Sequence, residues 1–363
     1  MPALRTRRSA LAALVAAVAL ALPAAPTAAA GAQAYAWAVV RDVAAEFQTL
    51  GPAAAMNAYG VVEVDTDGPG IFEVRFVGMG APILDAGGNR GVALVSALSR
   101  TAAACRLTTW RPEGTDVVVD VACTRRDGTP ASVPFVVSYT FIQDGTVLPA
   151  ERRAADAWAD RPASDGAVST TWRYSPSGLD ITSERLAVGA YRLFLPSTSG
   201  DGGTMLVSKW GGAGACAVAQ WYTTSGGGHA DVACRDLTGQ DQDTQFAFLR
   251  IVGPGGLMPY ASPPSAYALA NRPTAPRYRP AALTRFNSSG KRTTIVRSAR
   301  GTYQVTFAGQ PGGGGAQVSA RSSDGHRCNL TAIARKAPAR VGVRCFTRLG
   351  APADVAFTVV WTK

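Results

Sequence analysis

Six cysteines stand at positions 105 and 123, 216 and 234, and 328 and 345, so the first members recur after 111 and 112 residues and the second after 111 each time. A spacing kept that closely through 363 residues marks internal duplication. It restricts the chain to architectures that can be built three times over, and a chain of this length is in any case longer than one core usually organises.

Other positions keep the same phase. Gly128, Gly239 and Gly350 lie five residues after the second cysteine of each pair, and Phe135, Phe246 and Phe357 lie twelve after it. GIFEVRFVG from Gly70, GAYRLFLPS from Gly189 and GTYQVTFAG from Gly301 align as one segment, and YAWA from Tyr35, DAWA from Asp156 and YALA from Tyr267 open the copies. The extra length of the first copy falls between Gly78 and Val92 and reads as a surface loop. Proline-rich and polar stretches near 150 and 265 read as linkers. The copies are therefore placed at 35–149, 150–266 and 267–363.

Within a copy, apolar and polar residues alternate. Phe72, Val74 and Phe76 oppose Glu73 and Arg75, and Tyr303, Val305 and Phe307 oppose Gln304 and Thr306. Period two means strands buried on one face. Six or seven such runs per copy, separated by glycine and proline turns, predict an all-β protein of three tandem small antiparallel β-sandwich or barrel domains. Each is expected to fold alone. Val40, Val43, Phe47 and Leu50 instead fit a short amphipathic helix.

Between Cys105 and Cys123, CRLTTW and DVVVDVAC flank a polar turn whose centre, Gly114, is also the midpoint of the cysteine pair. Antiparallel pairing would set the two cysteines opposite each other, and the same geometry recurs around Ser225 and beside Pro338. One disulfide per copy is expected (Cys105–Cys123, Cys216–Cys234, Cys328–Cys345), each adding roughly 3 kcal/mol in the chain-entropy view. Zinc is disfavoured, because no copy offers four clustered Cys and His ligands.

The N-terminus says where such bonds could form. Arg5, Arg7 and Arg8 precede an uncharged apolar run from Ser9 to Leu22, then Pro23, Pro26 and an alanine-rich stretch. This is the order of a secretory signal peptide, assigned to 1–34, and the run is shorter than the roughly 20 residues of a membrane-spanning helix. Ala28-Ala29-Ala30 and Ala32-Gln33-Ala34 offer cleavage sites, giving a mature start between 31 and 35. The pair Arg7-Arg8 also resembles a twin-arginine signal without its phenylalanine, and the export route stays open. A secreted product, extracellular or cell-wall-associated and with no transmembrane anchor after cleavage, is expected.

In the third copy, NSSGKRTTIVRSARGTYQVTFAG, AQVSA and CNLTAIARKAPARVGVRCFTRLGAPADVAFTVVW resemble a tandem β-domain repeat of uncharacterised secreted bacterial proteins, with the signature G-x-Y-x-V-x-F, V-x-A, C, and V-x-C-F-x-x-x-G-x-P-x-D-x-x-F-x-V. The second copy has Arg235 where the signature has phenylalanine, and the first diverges most. The resemblance spans nearly the whole mature chain. It implies secretion and a β fold, and it brings no catalytic residue.

Motifs for chemistry are weak. His229 is expected in a glycine-rich hairpin turn and His326 in a loop before Cys328, neither tied to a nucleophile. Ser288-Ser289-Gly290-Lys291 spells S-x-x-K but aligns with a turn rather than a helix. Gly312 to Gly315 lacks the Lys-Ser/Thr of a phosphate loop and reads as a flexible loop. Glu63, Asp65 and Asp67 resemble a calcium loop lacking its final glutamate, so an acidic hairpin turn is preferred. Asn287 and Asn329 open glycosylation sequons without consequence. Trp110 and Trp221, replaced by Ile333 in the third copy, read as core, whereas Trp172, Trp210 and Trp361 are candidates for exposed stacking on sugars. No catalytic residue, metal or cofactor is expected.

Charge is uneven. Residues 35–149 carry 8 basic and 12 acidic side chains, 150–266 carry 9 and 11, and 267–363 carry 16 and 2, or +14. Such a bias points to anionic partners: cell-wall polymers or polysaccharides, bound through Arg277, Arg279, Arg285, Lys291, Arg292, Arg297, Arg300, Arg335 and Lys336, without specific nucleic-acid recognition. The sequence thus predicts a non-enzymatic binding or surface-associated module. An extracellular hydrolase of cell-wall or carbohydrate material and a carbohydrate-binding adhesin are the alternatives.

Overall fold

In the computed structural model the alternating segments form antiparallel strands, and the three copies share one topology. The structure describes residues 33–81, 83, 91–143, 153–169, 171–196, 198, 202–253 and 263–363. Most of the segment expected to be a signal peptide, the expected linker near 150, most of that near 265 and most of the segment between Gly78 and Val92 lie outside the described residues.

The first copy consists of β1 (Gln33–Val40), β2 (Phe47–Leu50), β3 (Ala55–Asn57), β4 (Val62–Gly68), β5 (Ile71–Phe76), β6 (Val92–Ala97), β7 (Ala104–Glu113), β8 (Asp116–Thr124) and β9 (Phe135–Ile142). They make a four-stranded sheet, β3-β1-β9-β6, and a five-stranded sheet, β2-β4-β5-β8-β7. The second copy, from β10 (Arg153–Ala159) to β18 (Phe246–Val252), and the third, from β19 (Ser265–Ala270) to β27 (Ala356–Thr362), repeat both orders with the labels advanced by nine and eighteen.

The two sheets of each copy close on the same aromatic pair. Phe72 meets Phe135 with ring centroids 5.0 Å apart, Tyr191 meets Phe246 at 5.3 Å, and Tyr303 meets Phe357 at 5.1 Å. All six rings are buried, and such contacts add about 0.5–1.5 kcal/mol beyond the area they bury. The recurrent phenylalanine twelve residues after each second cysteine is therefore one half of the contact that joins the sheets.

All three disulfides form as the repeat geometry implies, with Cα–Cα separations of 4.1, 4.0 and 4.0 Å. Each lies directly across a hairpin, and each hairpin then slips by one residue, at Leu107/Thr109, Val218/Gln220 and Leu330/Ala332. The bulge sits at the same place three times, as a conserved local re-aiming of side chains requires.

The sheet edges join the copies in a ring. Leu107 on β7 bridges Trp210 at the end of β15 (Thr204–Lys209), Val218 on β16 (Ala215–Thr224) bridges Arg321 on β24 (Gly315–Arg321), and Leu330 on β25 (Arg327–Ile333) bridges Leu98 after β6, all in parallel. The amides of Gly211, Ser322 and Ser99 donate to the carbonyls of Leu107, Val218 and Leu330 at 2.9, 2.9 and 2.8 Å. The five-stranded sheet of each copy thus hands on to the four-stranded sheet of the next, and the third hands back to the first.

On the axis of this ring one serine per copy replaces ladder bonds. The Val95 amide donates to Ser208 Oγ at 2.9 Å, the Val207 amide to Ser319 Oγ at 2.9 Å, and the Val318 amide to Ser96 Oγ at 3.0 Å. Each hydroxyl in turn donates to the carbonyl of the same valine, at 3.2, 3.2 and 3.4 Å. A buried unpaired amide or carbonyl would cost about 1–3 kcal/mol, so these serines remove six such costs from the junction. The residues from 31 to 363 accordingly form one compact unit.

Three expectations change. Each described copy has nine strands rather than six or seven, because edge pieces such as β3 are too short to show alternation. Val40 ends β1 and Phe47–Leu50 is strand β2, paired with β4, so the apolar spacing read as helical belongs to two strands and a bend. The copies, expected to fold alone, are joined edge to edge by parallel bridges.

Candidate binding surfaces

The cations singled out on the third copy are spread over it rather than gathered. Arg277 leaves the short strand β20 (Arg277–Tyr278) at the edge of the five-stranded sheet, paired with Val296 on β22 (Thr293–Ala299). Lys291 and Arg292 precede β22 and Arg300 follows it, so a strand of seven residues, about 23 Å long, separates them. Arg335 and Lys336 lie in the turn before β26 (Ala339–Phe346). Arg277, Arg279, Lys291, Arg292, Arg300, Arg335 and Lys336 are exposed. Arg335 also reaches the first copy, where its charge adds to burial in depressing the pKa of Arg41.

Two of the nine are engaged elsewhere. Arg285 is half-buried and donates to the Pro280 carbonyl, and burial, then the charge of Arg279, lower its pKa. Arg297 forms a two-pronged ion pair with Asp354, Nε to Oδ1 and Nη2 to Oδ2, both at 2.8 Å. Asp354 also accepts the Gly301 amide at 2.8 Å and the Tyr303 hydroxyl at 3.0 Å. The second copy repeats this clasp with Arg185, Asp243, Gly189 and Tyr191. The first copy lacks it: Ser132 takes the place of the aspartate and Phe72 that of the tyrosine, and only Gly70 still donates, to Ser132 Oγ.

On the solvent face of the five-stranded sheets, equivalent positions carry different chemistry. The first copy has a salt-bridge lattice in which Arg75 meets Glu73, Glu113 and Asp116, and Arg111 meets Glu113 and Asp120. The third copy has Gln304, Thr306 and Arg340 on that face. The second has aromatic rings: His229 lies on strand β17 (Gly227–Arg235), not in the turn, stacked on Tyr222 at 5.0 Å and 5.2 Å from Phe194. Beside them Arg192 and Gln220 both donate to Asp231.

The tryptophans proposed for sugar stacking are not free. Trp361 is fully buried, and Trp172 and Trp210 are half-buried against Trp110 and Trp158, the Trp110 and Trp210 centroids being 4.6 Å apart. These four indoles fill the junction of the first and second copies. At the next junction Trp221, equivalent to Trp110, is faced instead by the guanidinium groups of Arg250 and Arg321 at 5.6 and 5.2 Å.

The remaining motifs resolve locally. Ser288 to Lys291 is a turn, with Ser289 Oγ donating to the Ala308 carbonyl. Gly312 to Gly315 is packed: Trp361 Nε1 donates to the Gly313 carbonyl, and a Cβ on Gly315 would lie 2.7 Å from the Trp37 ring. Glu63, Asp65 and Asp67 lie along strand β4 rather than in a turn, and among the described residues no three acidic, His or Cys side chains are placed to hold a metal. Asn329 is buried and donates to Thr101 and Ala103 carbonyls, which closes that sequon to modification in the folded chain. Ser322 Oγ and His326 Nδ1 are 2.8 Å apart, a pairing no motif announces, but the hydroxyl also accepts the Asp324 amide and so closes a tight turn.

One face of the ring axis carries three equivalent loops, each placing a side chain over a glycine of the preceding copy in the ring. Arg126 lies on Gly350, Arg348 lies on Gly239, and Leu237 lies on Gly128. All three glycines have positive φ, 88°, 88° and 83° in chain order, which favours glycine there. Beside Leu237 opens a cavity of about 830 Å³, whose lining includes Ala102, Ala103, Arg125, Arg126, Asp127 and Ala131.

No protein-family model, curated protein or solved structure matches the chain.

Proposed function

We propose that the chain is an exported, non-enzymatic binding module that associates with extracellular polyanions through its third copy. The observation that carries this reading is the imbalance of free charge. Seven exposed cations of the third copy have no carboxylate within 4 Å among the described residues, and Asp354, one of only two acids in 267–363, is consumed by Arg297. In the first copy the arginines of the corresponding sheet, Arg75 and Arg111, are both paired with carboxylates. Charges distributed over some 20 Å suit an extended polymer better than a compact ligand. Three cross-strand disulfides accord with an oxidising compartment. Among the described residues no helix is long and apolar enough to cross a membrane.

The test uses the whole mature chain, because its copies share sheet edges. Retention on heparin and on teichoic-acid-coated resin is compared between the wild type and a Lys291→Gln, Arg292→Gln, Arg335→Gln, Lys336→Gln variant. The wild type should elute at clearly higher salt, since surface charges are screened beyond about 8 Å at physiological ionic strength. Equal elution would remove the third copy from the function.

A second reading draws on Tyr222, His229 and Phe194. Aromatic rings flanked by the Arg192–Asp231–Gln220 hydrogen-bond set suit a sugar ring, whose apolar face stacks while its hydroxyls bond at the edge. A glycan array probed with wild type and Tyr222→Ala separates this reading from the first, because a neutral glycan would be retained at high salt.

A further inference from the structure

The axial loops contain their own internal control. At two of the three equivalent positions an arginine lies flat across the glycine of a neighbouring copy, with Arg348 Cδ 2.9 Å and Arg126 Cδ 2.9 Å from where a Cβ would stand. At the third the residue is Leu237, shorter and uncharged, approaching only to 3.4 Å, and it is here that the cavity of about 830 Å³ opens. The cavity thus opens at the junction where leucine stands in the place of the arginine.

Its walls differ in character. Ala103 and Ala131 are buried and, with Ala102, Val133 and Leu237, make an apolar floor. Arg125 and Arg126 stand exposed on the rim. The rim's one carboxylate, Asp127, is turned to the backbone: it accepts the Thr129 amide at 3.0 Å and the Thr129 hydroxyl at 2.7 Å. Below the floor Arg327 donates to the Ala102 carbonyl at 2.8 Å, and its buried Nε has no partner. The cavity lining thus carries two exposed guanidinium groups and one engaged carboxylate, and its volume falls in the range of small-molecule sites, about 300–1,000 Å³.

We infer that this cavity binds a monoanion with a short unbranched apolar chain, of the class of a medium-chain fatty acid, with the chain on the alanine and leucine floor and the carboxylate at Arg125 and Arg126. The inference does not rest on the polyanion reading, which concerns the third copy.

Binding of decanoate, below its micellar concentration, to the full mature chain is measured by calorimetry. Decylamine and decanol serve as controls for charge and chain. Saturable binding of decanoate at one site, at least tenfold tighter than either control, is expected. Leu237→Arg should reduce it at least tenfold, because it places at this junction the residue that the other two already accommodate, and for that reason its fold should persist, as checked by circular dichroism. Arg125→Gln should weaken decanoate several-fold while leaving decanol unchanged, which serves even if Leu237→Arg fails to fold. Absence of saturable decanoate binding, equal binding of the amine, or unchanged binding in both variants would overturn the assignment.

Discussion

Arg297 and Asp354, 57 residues apart, meet through two parallel hydrogen bonds of 2.8 Å and tie the hairpin turn at Gly301 to the loop that follows Cys345. The Arg297 guanidinium, then the Gly301 amide and the Tyr303 hydroxyl, hold the Asp354 carboxyl well below the usual carboxylate range. A carboxyl depressed in the folded state contributes stability above its unfolded value, near 3.9, and loses it as pH falls through the folded value. Asp354→Asn should therefore destabilise the chain by about 1–3 kcal/mol at pH 7 and flatten the loss of stability below pH 4. Thermal unfolding from pH 7 to pH 2 checks this, and an unchanged acid slope would refute it.

Lys209 gives the opposite sign. Burial lowers its pKa to about 8, although its ammonium donates to the Ala213 and Arg235 carbonyls and to Gln242. Between about pH 8 and the unfolded value near 10.4 the unfolded chain binds more protons, so this residue makes stability rise with pH. Denaturant titrations at pH 7, 8.5 and 10 should show the rise in the wild type and its loss in Lys209→Met. A parallel rise in both would assign it elsewhere.

The ring makes partial chains unfavourable. A chain ending after residue 253 would leave β16 without β24 and β6 without β25, two open edges of the kind that pair with other chains. Such a truncation should self-associate or aggregate, as seen by light scattering after size exclusion. A monomeric, cooperatively folded two-copy chain would contradict the dependence between copies.

Strand β1 discriminates between the two cleavage sites. Gln33 pairs with Ile142 and Ala34 with Phe141, and Ala34 is buried. Cleavage after Ala34 would remove both pairs, so the mature form is expected to begin at Gly31. Intact-mass measurement of the exported protein decides, and an N-terminus at Tyr35 would show that β1 tolerates the loss.

Ser322 and His326 allow a direct check on the hydrolase alternative. Burial lowers the His326 pKa, with the charge of Asp324 opposing. With its hydroxyl held in a turn, Ser322 should stay unlabelled by a fluorophosphonate probe at pH 7–9. Stoichiometric labelling lost in Ser322→Ala would reinstate an enzyme.

Local pattern carried much of this architecture. Period-two alternation and cysteine phase were enough for the strands of each hairpin and for all three disulfides, because both are decided within some twenty residues. The ring was not legible, since it depends on Ser96, Ser208 and Ser319 meeting valines about 112 residues or more away, and V-S in a strand looks like any other pair. Phe47 misled because a bend between two strands put apolar residues at helical spacing. The axial cavity was hidden in the same way: Leu237 is informative only beside Arg126 and Arg348, its partners in phase. His229 seemed a loop residue because glycines precede it, yet those glycines are themselves in or beside β17.

Closure of the sheets in a circle also sets a limit on how such a chain can evolve. An open stack of repeats can lengthen or shorten by unequal recombination, because each unit meets its neighbours in the same way. Here the last copy already occupies the edge that a fourth would need, since Leu330 bridges Leu98 and Ser96 serves Val318. Gain or loss of one unit would break the circle. Within this closure, equivalent strands still carry different faces: a charged lattice, aromatic rings and a polar cationic surface.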